Sequence, residues 1–209
     1  MVTTRAASEQ RAVLRNISWQ TFETMLAEMG ENRTSRITYD QGMLEIMTPL
    51  FSHEYWKCLI ERLIFVLAEE LNLEIVPAGS TTFRREDLRR GTEPDSSYYI
   101  RNEALVRNKS EIDLNRDPAP DLVVEIDLTS SSLNKFDIYA SLGVMELWRY
   151  DEGVLYIYQL QQGQYIECNN SPIFAQLPLI EIARFLEESQ RIGVMKMTRN
   201  FREWVKEKI

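Results

Sequence analysis

Cysteine is nearly absent: Cys58 and Cys168 form no dense or spaced framework, and neither lies in a metal-binding pair. That excludes a disulfide-stapled scaffold, and the two residues read as inert thiols. Glycine and proline are also sparse, at 8 and 7 residues, and there is no low-complexity tract, so disorder is expected only at the ends. Long apolar runs are missing. The opening MVTTRAASEQRA carries no signal-peptide stretch, and no later segment approaches the roughly 18 apolar residues that span a bilayer. A cytoplasmic protein without a membrane partner is expected. Positive charge is in deficit, with 24 Lys and Arg against 32 Asp and Glu and a net charge of −8. This argues against broad adhesion to nucleic acid through a basic surface. A carboxylate site neutralised by metal ions would nevertheless be compatible with that balance.

What is present is an ordinary globular composition, 44% hydrophobic over 209 residues. It predicts a flexible segment over residues 1–15 and one α/β domain over 16–209. Ser18 precedes apolar Trp19, Phe22, Met25, Leu26 and Met29 at helical spacing, and Gly30 ends the run. RITYD and MLEIM around Gln41-Gly42 read as a hairpin. A second helix is predicted from about His53 to Asn72, capped by Ser52, with Trp56, Leu59, Ile60, Leu63, Leu67 and Leu71 as its apolar stripe. Strand-like runs follow at LEIVPA, STTF, DSSYYI, DLVVEIDL, MELWRYD, VLYIYQL and YIEC. One helix interrupts them, from near Asn134 to Gly143 behind the Ser-rich TSSS. Its length suits a crossover that makes its flanking strands parallel neighbours. LIEIARFLEES and TRNFREWVKEK read as C-terminal helices.

The segment from Pro120 to Leu128 carries the most chemistry. A period of two sends Leu122, Val124, Ile126 and Leu128 to one face and Asp121, Glu125 and Asp127 to the other. Glu125 and Asp127 would then stand roughly 6 to 7 Å apart, close enough to share one hard cation. An isolated Glu-x-Asp triplet is more often a solvated sheet face. Here the aliphatic face and the following crossover imply an interior strand, where two carboxylates need pairing or a metal.

Pro94 in Glu93-Pro94-Asp95 places Asp95 at the beginning of DSSYYI, where it is either a turn acid or a ligand reaching into a cleft. Lys135 falls in the first turn of the crossover helix, where the helix dipole disfavours a cation. It is either a solvated lysine or one whose ammonium reaches the carboxylates and a phosphate. His53, the sole histidine, is either an ordinary helix-start residue or one that tunes the site. Arg84, Arg85, Arg89 and Arg90 either meet a phosphate backbone or are solvated loop charges.

From Tyr39 to Phe185 the chain resembles the family named "putative restriction endonuclease", abundant in cyanobacterial genomes, within the PD-(D/E)XK nuclease superfamily. The segments that carry the resemblance are YDQGMLEIMTPLFSHE, GSTTFRREDLRRGTEPDSSYYI, APDLVVEIDLTSSS and KFDIYASLGVMELWRYD. The resemblance implies a restriction-endonuclease-like α/β core, a mixed central sheet flanked by helices, with an N-terminal helix and hairpin and C-terminal helices. It puts the family's two acids on Asp95 and Glu125. The superfamily's lysine two positions after the glutamate is here Asp127, and in this family it has moved to the helix, which matches Lys135. The expectation is therefore an endonuclease cutting DNA with Mg²⁺ or Mn²⁺ held by Asp95, Glu125 and Asp127, assisted by Lys135. A homodimer would let two sites cut both strands. The alternative is a catalytically weakened nuclease-fold module that binds nucleic acid or acts in regulation. Asp127 in the lysine's place and the negative charge favour it.

Overall fold

A computed structural model describes residues 10–30, 33–127, 133–174 and 177–209. Gln10–Leu14, assigned above to the flexible N-terminal segment, is a strand (β1) paired with the later hairpin. Its side chains show only a weak alternation of burial, which is why period counting does not find it.

Helix α1 (Trp19–Met29) begins at Ser18, whose side chain accepts from the Thr21 N–H, and ends at Gly30. Strands β2 (Arg36–Asp40) and β3 (Met43–Thr48) form the predicted hairpin. Gln41 and Gly42 both take positive φ in its two-residue turn. Helix α2 runs over Phe51–Glu70, two residues ahead of its predicted start, with no side-chain cap. There follow β4 (Val76–Pro77), β5 (Phe83–Arg85), β6 (Arg90–Thr92), β7 (Ser96–Tyr99), the short α3 (Glu103–Val106) and β8 (Leu122–Ile126). After α4 (Lys135–Leu142) come β9 (Glu146–Asp151), β10 (Val154–Gln161) and β11 (Gln164–Cys168). Helices α5 (Ile182–Ile192) and α6 (Val194–Lys208) close the chain.

The strands sort into two sheets. The larger is mixed, in the order β11-β10-β9-β8-β7-β4, with β8 and β9 parallel and the other pairs antiparallel. The smaller, β1-β3-β2-β6-β5, takes the hairpin and adds a neighbour on each side. That division arises from non-local pairing of β2 with β6, which no local pattern announces. Gly91 in β6 permits it: a Cβ there would lie 2.9 Å from the Phe22 ring.

Strand β8 is buried along its whole length, and its alternation works as predicted. Leu122, Val124 and Ile126 join Leu63, Trp148 and Phe201 in the main core under α2, α5 and α6. Each such side chain contributes roughly 1.5–3 kcal/mol. Val123 faces the other way, into a cluster with Tyr139, Val144 and Leu147. Helix α4 thus covers the second face of the large sheet. Its Ile138 and Leu142 also pack on Phe83 of the small sheet, making α4 a wedge between the two. Asn134 caps this helix on the Phe136 N–H, and Gly143 ends it at φ 87°. Leu128 and the run TSSS lie outside the described residues.

Candidate active site

Asp95, at the start of β7, is fully buried. Its Oδ2 accepts from the Ile126 N–H at 2.7 Å and lies 3.1 Å from His53 Nε2, while its buried Oδ1 has no hydrogen-bond partner among the described residues. Burial alone would raise this carboxyl. His53, the Lys135 charge and the Ile126 N–H outweigh burial and hold it below the usual range. His53 is itself fully buried in the first turn of α2, so the structure places the single histidine against the predicted acid.

Glu125, on β8, is held on both oxygens: Lys135 Nζ donates to Oε2 at 2.7 Å and the Tyr139 hydroxyl donates to Oε1. Burial pushes its carboxyl up to about 7; Lys135 opposes that rise and Asp95 adds to it. Burial would lower Lys135, but Glu125 and Asp95 keep its ammonium above the ordinary value. The cation that the helix dipole disfavours is therefore fixed by two carboxylates. Tyr139 was legible only as a core residue, although its place four residues after Lys135 puts both on one helix face. Contact with Glu125 follows burial in raising the Tyr139 hydroxyl well above its usual range.

Asp127 differs from expectation. Arg149 stands opposite Glu125 in the parallel register of β8 and β9, and its guanidinium bonds Asp127 at 2.8 Å and Asp151 at 2.8 Å. Among the described residues, no group of three His, Cys, Asp or Glu side chains is placed to hold a metal ion. The expected three-acid set is thus two acids and an ion-paired third. Two still suit a hard cation, because Mg²⁺ keeps several of its waters and takes only one or two carboxylates. The partnerless Asp95 Oδ1 and the part of Glu125's burial that Lys135 and Tyr139 do not offset are what such an ion would relieve.

Glu125, Asp127, Lys135, Phe136, Arg149 and, from the small sheet, Arg11 line a cleft of about 430 Å³. Arg11 also pairs with buried Glu45 at 2.9 Å. Neither Arg11 nor Arg149 was found from sequence, since both arrive by strand register.

The predicted basic stretch lies elsewhere, on the β5–β6 hairpin. Arg84 pairs with Glu23 at 2.9 Å, Arg85 Nε donates to Asp87 at 2.8 Å, and Arg90 pairs with Asp40 at 2.8 Å. Arg89 is exposed at the turn, at φ 51°. The structure does not bring these arginines to the cleft; Arg84, Arg85 and Arg90 read as charges matched locally with acids.

A family model described as "Putative restriction endonuclease" matches residues 19–192, which is the family the motifs resemble. Among solved structures, a chain from Anabaena variabilis described as a putative nuclease belonging to DUF820 superposes with a TM-score of 0.52 at 17% identity. The alignment covers 87% of this chain and 99% of that one. The likeness establishes a shared fold, and the mixed sheet between helices is the one predicted. No curated protein matches the chain.

Proposed function

The chain belongs to the Uma2 family, and on that premise we propose that it is an endonuclease hydrolysing phosphodiester bonds in DNA with Mg²⁺ or Mn²⁺. The observation that carries the reading is the Lys135 ammonium on Glu125, beside buried Asp95, at a cleft. A solvated lysine at a helix start would not be ion-paired to a buried acid with a second one near enough to feel its charge.

Asp95 and Glu125 would hold the ion; bound there, it supplies a more acidic water and positive charge for the phosphate. The chain's own residues supply order. The Ile126 N–H fixes Asp95, and Tyr139 with Lys135 fixes both oxygens of Glu125. Lys135 has three N–H donors and spends one on Glu125, which leaves donors for a phosphate oxygen or for the attacking water. In the reaction the water oxygen bonds to phosphorus as one bridging P–O bond breaks. The water gives up a proton and the departing oxygen gains one.

The test is incubation with supercoiled plasmid in Mg²⁺, Mn²⁺ or chelator, with Glu125→Ala as control. The reading expects nicked or linear product only with metal and only from the native protein. Equal product with chelator, or from Glu125→Ala, would overturn it. The weakened-module reading instead expects DNA binding with no cleavage in any metal, and the ion-paired Asp127 is the observation on its side.

A further inference from the structure

The cleft also bears on which form of nucleic acid it takes, an inference that rests on the proposed function for its chemistry but not for its binding test. Glu125 is 8% exposed and lines the cleft, so a phosphate meets it only by entering there. About 430 Å³ is the size of a small-ligand pocket, with room for one nucleotide.

Charge points the same way. Each cation at the cleft has a carboxylate partner: Arg11 pairs with Glu45, Lys135 with Glu125, and Arg149 with Asp127 and Asp151. The arginines of the β5–β6 hairpin are largely matched by acids as well. A duplex offering only its backbone therefore finds little long-range attraction. What the cleft provides besides charge is an apolar wall whose accessible member is half-buried Phe136, backed by the buried Met47, Leu133 and Leu147. A duplex keeps its bases stacked inside; an unpaired strand can place one against that wall.

We propose that the cleft binds an unpaired nucleotide of a single strand, such as a loop, flap or frayed end, with its base against Phe136 and Met47 and its phosphate toward Lys135 and Arg149. Recognition then depends on strandedness and on bound metal. Base sequence contributes little, because a hydrophobic wall reads no hydrogen-bond pattern.

The experiment measures fluorescence anisotropy of labelled oligonucleotides with the full chain in Ca²⁺, comparing a single strand, a blunt duplex of the same sequence and a flapped duplex. The single strand and flap should bind at least about tenfold more tightly than the blunt duplex. Phe136→Ala should erase most of that preference. Because Phe136 also packs on Tyr158 and Tyr165, Met47→Ala is the second variant, and thermal melts confirm that both fold. Equal or tighter duplex binding, no binding to any oligonucleotide, or a preference unchanged in both folded variants would overturn the proposal. Cleavage of the same oligonucleotides in Mn²⁺ is scored separately. A chain that prefers single strands yet cuts nothing defeats the nuclease reading and leaves this one standing.

Discussion

Two acids flank Pro94, and they lead opposite lives. Glu93 is 2% exposed and fully satisfied: its Oε2 accepts from the Ile37 N–H at 2.8 Å, and its Oε1 accepts from Thr82 at 2.6 Å and from Arg33. Asp95, equally buried, keeps one oxygen without a partner and shares the charge of Lys135 with Glu125. Glu93 stitches β2 to the segment after β6 and belongs to the small sheet's frame; Asp95 belongs to the charge cluster of Glu125 and Lys135. Burial by itself therefore does not mark a functional acid. What sets Asp95 apart from Glu93 is a buried oxygen without a hydrogen-bond partner among the described residues.

The largest way to break this contrast is Glu93→Ala, which removes the buried carboxylate that Arg33, Thr82 and the Ile37 N–H all bond. Removing one partner of a buried pair costs about 3–5 kcal/mol, and a chain of this size loses roughly 2–4 °C per kcal/mol. Thermal unfolding followed by circular dichroism should fall by on the order of 10 °C. A fall under about 2 °C would mean that Glu93 is no more structural than Asp95.

Lys135→Ala comes next, since it removes transition-state charge from the site and leaves its metal ligands. Cleavage should drop by roughly 10²–10³, while a saturable rise in melting temperature with Mn²⁺ persists. Native-rate cleavage would return Lys135 to a structural ion pair.

The contrast sharpens with pH. The folded carboxyl of Glu125 sits at about 7, above its unfolded value of roughly 4.3, so the folded state holds the extra proton between them. Its contribution to stability is present at low pH and is lost as pH rises through that window. Metal-free Glu125→Gln should therefore match the native protein near pH 4.5 and exceed it by about 1–3 kcal/mol at pH 8. Mn²⁺ should stabilise only the native protein. Urea midpoints at the two pH values measure this, and an advantage that shrinks as pH rises would reverse the assignment.

The smallest effect belongs to Arg85→Ala with Arg89→Ala. Both lie away from the cleft, and stability should change by less than about 0.5 kcal/mol. Oligonucleotide affinity and its salt slope should hardly move. A flattened salt slope would put the β5–β6 hairpin back on the substrate path.

Local periodicity made much of this legible. The β8 alternation, the Ser18 and Asn134 caps, the Gly30 and Gly143 stops and the Gln41-Gly42 turn all encode their structure within a few residues. So did the suspicion attached to Lys135, because a cation at a helix start needs a partner. What was not legible depends on register between distant strands. Arg149 captures Asp127 only because β9 pairs with β8 in one particular alignment, and Arg11 reaches the cleft only because β1 joins β3. Tyr139 was visible as a residue but not as a donor, since its packing and its hydroxyl contact use the same side chain.

The parallel pairing of β8 with β9 also sets a timetable for the cluster. Parallel neighbours cannot zip from a tight turn; they wait for a crossover to be made and closed, which is a slow, non-local step. Asp95 and Glu125 are synthesised first, and their ammonium docks only when α4 is seated between the sheets. A nascent or partly unfolded chain thus carries two mutually repelling acids with no lysine fixed between them. Seating α4 therefore does two things at once: it fills the wedge between the sheets and brings the ammonium to Glu125.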